Sequence, residues 1–225
     1  MGQPDVACAA YPRPMFLYLH GFASSAGSGK AILFRDHLAA SGVPLVIPEL
    51  DEGDFEHLTI SRQLALVNRL CAEHARPHVI IGSSLGGYVA ALHASSHEVD
   101  ALVLMAPAVD FARRIRVRYG ADFDRWEQTG TTLVDHYGLG RKVPLAFDLM
   151  RDAVDHAPWP RVTAPTLIVQ GLRDDIVPAG IVQQWARGQP DAQVRLFDSP
   201  HDLMDVTPAL WTESRAFLQR LGLLP

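Results

Sequence analysis

His78-Val79-Ile80-Ile81-Gly82-Ser83-Ser84-Leu85-Gly86-Gly87 is the stretch from which the fold is read. A short apolar run ends at Gly82, a Gly-x-Ser-x-Gly pentapeptide follows, and a small-residue segment from Leu85 to Ala94 continues as a predicted helix. In this strand–turn–helix context the pattern marks a nucleophile turn, with Ser84 held in a strained conformation at the C-terminal edge of a sheet. Glycines on either side relieve the crowding that the turn creates. Gly86, Gly87, Ala90 and Ala91 let the helix sit close to the sheet. Its N-terminus faces the serine and favours negative charge developing there.

Working outward, short apolar runs alternate with helical stretches, the signature of a parallel α/β sheet. Strands are predicted over 15–19, 44–47, 78–81, 101–105, 166–169 and 193–197. Helices are predicted over 31–40, 60–73, 85–94 and 208–221, the second from Ile60, Leu64, Val67, Leu70 and Cys71 at helical spacing. Fully apolar strands such as Ala101-Leu102-Val103-Leu104-Met105 imply helices on both faces. Between Ala108 and Thr163 the alternation stops and aromatic residues accumulate. A structureless loop of that length is improbable. Residues 108–163 are therefore expected to form a helical cap, with helices near 145–156, inserted in a core of residues 1–107 and 164–225.

The 225 residues, 48% apolar and 20% charged, are ordinary globular composition, which excludes disorder as the main state. A net charge of −5 without a basic run argues against nucleic-acid binding. Two cysteines, Cys8 and Cys71, allow neither a disulfide framework nor a cysteine-rich zinc site. The ten histidines show no metal-ligand pairing, so no metal and no cofactor are expected. No apolar run suits a membrane helix, and the first residues lack a leader pattern. Gly2 does not make a myristoylation signal, because Val6 stands where Ser or Thr is needed. The expectation is a cytoplasmic protein with no membrane partner.

A serine hydroxyl attacks only when a base takes its proton. In this architecture the acid and then the histidine follow the serine, each after a later strand. Gly171-Leu172-Arg173-Asp174-Asp175-Ile176-Val177-Pro178 follows the fifth predicted strand, and Ser199-Pro200-His201-Asp202 follows the sixth. Both loops leave the same sheet edge as Ser84, where open α/β sheets bind ligands. Asp110, after the fourth strand, is the competing acid. Asp202 and Asp205 are too close in sequence to His201 to reach its ring well.

With these residues in hand, the chain resembles the α/β-hydrolase superfamily from Met15 to Leu221. Tyr18-Leu19-His20-Gly21-Phe22-Ala23-Ser24-Ser25, with Ser28 and Lys30 beyond, looks like the opening of small bacterial YqiA-like esterases. The resemblance implies that Asp174, rather than Asp175, is the acid. It also implies that the backbone N–H groups of Phe22 and Leu85 hold the oxyanion. Two departures are the short segment before the first strand and an insertion after Met105 longer than in YqiA-like proteins. The implied function is hydrolysis of small to medium carboxylic esters by Ser84, His201 and Asp174 through an acyl-enzyme, with water and a small-molecule ester as the only partners. The same triad also serves thioesterases, lipases and C–C bond hydrolases, and a hydrolase-like binding protein is an alternative of another class.

Other features are set aside. Gly27-Ser28-Gly29-Lys30 has the flavour of a phosphate-binding loop, but Ser24 stands at the first glycine and Ala31 replaces the magnesium-binding hydroxyl. His20 is read as a brace for the oxyanion loop. Arg113, Arg114, Arg116 and Arg118 are read as a solvated cap face rather than a clamp for an acidic substrate. Trp126 and Tyr137 are the insertion aromatics expected to line the substrate pocket.

Overall fold

The computed structural model describes residues 15–225. Gly2, Val6 and Cys8, and the expectations attached to the N-terminal segment, lie outside the described residues. The chain begins with β1 (Met15–Leu19), α1 (Gly29–Ala40), β2 (Leu45–Val46), α2 (Ile60–Glu73), β3 (His78–Ser83), α3 (Leu85–Ala94) and β4 (Ala101–Met105). The intervening segment carries α4 (Phe111–Tyr119), α5 (Ala121–Thr129), β5 (Thr131–His136), β6 (Arg141–Ala146) and α6 (Asp148–Ala153). The chain closes with β7 (Thr166–Gly171), α7 (Ala179–Ala186), β8 (Ala192–Phe197), a 3-10 turn over Met204–Val206 and α8 (Thr207–Arg220).

Six strands form one sheet in the order β2-β1-β3-β4-β7-β8, every neighbouring pair parallel. The unbroken burial of β1, β3, β4 and β7 follows from having helices on both faces. On one face Phe16, Tyr18 and Val103 pack with Phe34 and Leu38 of α1 and Phe217 of α8. On the other, Leu17, Ile80 and Leu104 pack with residues of α2, α3 and α7, among them Val67, Tyr88 and Trp185. Thr59 caps α2 by accepting from the Arg62 N–H at 3.1 Å.

Parallel register is what assembles the site. Ser83 aligns with Met105, and Gly171 with Phe197, so the loops after β3, β4, β7 and β8 leave one edge together.

The segment between β4 and β7 differs from the purely helical cap expected. It contains the antiparallel pair β5–β6, in register from Thr131↔Ala146 to His136↔Arg141. Ala146 lies in β6, so the predicted helix over 145–156 reduces to α6. The pair hid from sequence reading because Leu133 is exposed while Val134 and His136 are buried, and because Pro144 sits inside β6. Proline removes a ladder donor and is tolerated only in such short, edge-rich pairs.

Candidate active site

Ser84 is the residue between β3 and α3, with φ 52° and ψ −116°. Its N–H donates to the Met105 carbonyl at 2.9 Å, and its carbonyl accepts from Tyr88 and Ala108, which pins the turn. A Cβ at Gly82 would lie 2.6 Å from the Gly87 Cα, and one at Gly86 would run into the Leu19 and His20 carbonyls. Both glycines are therefore demanded by close contact with neighbouring backbone.

Ser84 Oγ stands 3.0 Å from His201 Nε2, and His201 Nδ1 stands 2.8 Å from Asp174 Oδ2. A carboxylate only accepts, so Nδ1 carries the proton and Nε2 is left to accept the Ser84 O–H. Asp174 is buried and fully paired. Its Oδ1 accepts from the Ile176 and Val177 N–H groups at 2.9 and 2.7 Å, and its Oδ2 accepts from Gln170 Nε2 at 2.8 Å as well as from His201. Burial pushes this carboxyl up, but the His201, Val177 and Gln170 hydrogen bonds and the His201 charge outweigh it and hold Asp174 below the usual range.

Gln170, fully buried at the end of β7, is the site residue that sequence reading missed. Its amide also donates to the Val177 carbonyl at 2.9 Å, so it ties both ends of the acid loop. A lone glutamine at a strand end carries no pattern that would single it out.

The N–H groups of Phe22 and Leu85 make no hydrogen bond among the described residues. His20 supports that loop: Nδ1 donates to the Gly21 carbonyl at 3.0 Å and Nε2 accepts from the Leu50 N–H at 3.3 Å. Burial keeps the His20 imidazole below its ordinary pKa, with Glu49 and Asp51 opposing.

A cavity of about 480 Å³ opens beside Ser84 and His201. Tyr137, at the β5–β6 turn, lines it together with Phe22, Ile176 and Met204. Trp126 does not. It is buried against Phe123 and Phe147, and its Nε1–H donates to the Leu145 carbonyl at 3.0 Å. The substrate-lining role expected for Trp126 is corrected to one of packing, because aromatic content does not say which way a ring faces.

Asp110 is buried but pairs with Arg113, and no contact joins it to His201 among the described residues. Asp202 Oδ1 accepts from the Met204 N–H, and Asp205 pairs with Ser199 and Arg173. The arginine row is only partly a solvated face. Arg114 reaches the carbonyls of Val109 and Ile176, which fastens α4 to the acid loop. Among the described residues no three His, Cys, Asp or Glu side chains converge as metal ligands.

The parallel six-stranded sheet with its elbow serine places the chain in the α/β-hydrolase fold. Mouse alpha/beta hydrolase domain-containing protein 10 is similar at a TM-score of 0.79 and 21% identity, over 94% of this chain and 92% of that one. Est1E from Butyrivibrio proteoclasticus, solved with ferulic acid bound, gives 0.75 and 20% over 92% and 90%. The Paleococcus ferrophilus monoacylglycerol lipase gives 0.68 and 17% over 94% and 96%. At these identities the likeness is one of fold. Sequence comparison with curated proteins finds no match. The chain belongs to the uncharacterised protein family UPF0227, whose family model matches residues 15–218.

Proposed function

We propose that the chain is a serine hydrolase cleaving carboxylic esters of small to medium acyl substrates. The observation that carries the reading is the unbroken hydrogen-bond chain Ser84–His201–Asp174. Ser84 Oγ attacks the acyl carbonyl while its proton passes to His201 Nε2, and Asp174 holds the imidazole and stabilises its cation. The Phe22 and Leu85 N–H groups receive the developing oxyanion, and losing one such donor typically costs about 10²–10³-fold in turnover. Collapse breaks the C–O bond, and the departing alcohol takes the His201 proton. Water then attacks the acyl-enzyme with His201 again as base, which releases the carboxylic acid and restores the serine.

The esterase and lipase names among the fold neighbours agree with this chemistry. The 480 Å³ cavity suits a small or medium substrate. Among the described residues no helix is long and apolar enough to cross a membrane. Cytoplasmic action is part of the proposal, since two cysteines fit a chain without a disulfide framework.

A p-nitrophenyl ester series of increasing acyl length tests the reading. The wild type should hydrolyse the short and medium members, and Ser84→Ala should lose roughly 10³-fold or more in kcat/KM. A Ser84→Ala protein with wild-type esterase activity contradicts it.

A further inference from the structure

One end of the cavity has no part in the acyl-transfer steps. It is bounded by Tyr18, Ser28, Gly29 and Lys30, where α1 begins. This is the Gly27-Ser28-Gly29-Lys30 stretch whose spacing excludes a nucleotide loop.

Several donors gather there with hydrogen-bonding capacity left unused. Lys30 Nζ gives one hydrogen bond, to the Asp202 carbonyl at 2.6 Å, which leaves two of its three N–H groups free. The backbone N–H groups of Gly29 and Lys30 lie in the first helical turn, where the helix supplies no acceptor, and they find none among the described residues. Ser28 Oγ accepts from the Ala31 N–H at 3.4 Å, so its own O–H can donate. Tyr18 is fully buried, and its hydroxyl has no partner among the described residues although the Ser28 and Ser83 hydroxyls flank it. Buried hydroxyls are seldom left unpaired. A cation, a helix N-terminus and two hydroxyl donors together complement an oxyanion.

We propose that this end of the cavity is a subsite for an oxyanionic group on the substrate, a carboxylate or a phosphate ester. The enzyme thus acts on esters that carry such a group on the α1 side of the scissile carbonyl. The proposal deepens the ester-hydrolase reading and rests on it for the identity of the scissile bond. Burial lowers the Lys30 amine to about 8, with the Asp202 and Asp174 charges opposing, so a bound anion would favour the ammonium form. The carboxylates of Asp175 and Asp202 also border the cavity; both are exposed to solvent, so salt weakens the repulsion they exert on a bound anion.

The test is binding, by calorimetry on the Ser84→Ala protein, which does not turn over. The probes are the monomethyl half-esters of succinate, glutarate and adipate, their neutral dimethyl esters, and methyl 3-(phosphonooxy)propionate. At least one anionic probe should bind tenfold or more tighter than the neutral diester of its length. Lys30→Met in the same background should bring that ratio to within about twofold. Tyr18→Phe, which keeps the buried ring, should lower the ratio severalfold. Whichever of carboxylate or phosphate binds more tightly names the group. A ratio near one for every probe overturns the proposal, and so does a ratio unmoved by both substitutions. Because no turnover is measured, a wild type inert toward esters would count against the hydrolase reading and leave this binding result standing.

Discussion

Asp174 accepts four hydrogen bonds on two oxygens, and two of them come from side chains that must agree on its position, His201 and Gln170. Asp174→Asn would present an amide to two donors and turn His201 to the wrong tautomer, so kcat should fall by about 10⁴-fold while KM changes little. Gln170→Leu removes one donor and leaves the Val177 carbonyl unpaired, and kcat should fall on the order of tenfold. A full kinetic profile of both variants checks the ordering. The pH dependence has a definite sign. The folded Asp174 pKa lies below the unfolded value near ~3.9, so its stabilisation is present above that value and lost as pH falls through the folded one. Urea midpoints of wild type and Asp174→Asn should therefore converge below about pH 4. Chain order and strand ends make Ser84, His201 and the loop of Asp174 and Asp175 legible in sequence, whereas the choice of Asp174 within that loop comes from the family resemblance alone. Gln170 is not legible, because its role arises only when β7 and the acid loop meet.

At the scale of elements, the β5–β6 pair holds the loop after β1 that carries Phe22. The Tyr137 N–H donates to the Ala23 carbonyl at 2.8 Å, and Ala23, at φ 53°, adjoins Phe22. Phe55 bridges the two, contacting Phe22 at 5.6 Å and His136 at 4.6 Å between ring centroids. A Cβ at Gly138 would lie 2.9 Å from the Ser25 side chain. Gly138→Val should push the turn off that loop and, with the proposed oxyanion donor Phe22 misaligned, lower kcat on the p-nitrophenyl esters about tenfold, with a thermal midpoint within a few degrees of wild type. Unchanged kcat would mean that the pair does not position Phe22. The main strands are legible because burial on both faces writes continuous apolar runs, as in β4. The β5–β6 pair is not, since one face of β5 meets solvent and Pro144 interrupts β6. α7 escapes for another reason: its Ala-Gly-Ile-Val-Gln-Gln-Trp-Ala sequence is short and contains glycine and β-branched valine.

At the scale of the whole molecule, two core layers share one sheet, and the stability of the whole depends on histidines kept neutral inside it. His93 is buried on α3, and burial lowers it to about 4, with His97 and His78 adding to the shift. Between that value and the unfolded value near ~6.5 the unfolded chain binds more protons, so stability rises with pH across the window. Wild type should be less stable at pH 4.5 than at pH 7, and His93→Gln should flatten that difference by on the order of 1–3 kcal/mol, read from urea unfolding. The fold brings its catalytic candidates to one edge, and the most direct measurement is made there. Folded wild-type protein and His201→Ala are treated with a fluorophosphonate, and the labelled peptide is mapped by mass spectrometry. One label per chain is expected on the peptide bearing Ser84 in the wild type, and none in His201→Ala. A folded wild type that takes no label, or takes it at another residue, contradicts Ser84 as the nucleophile.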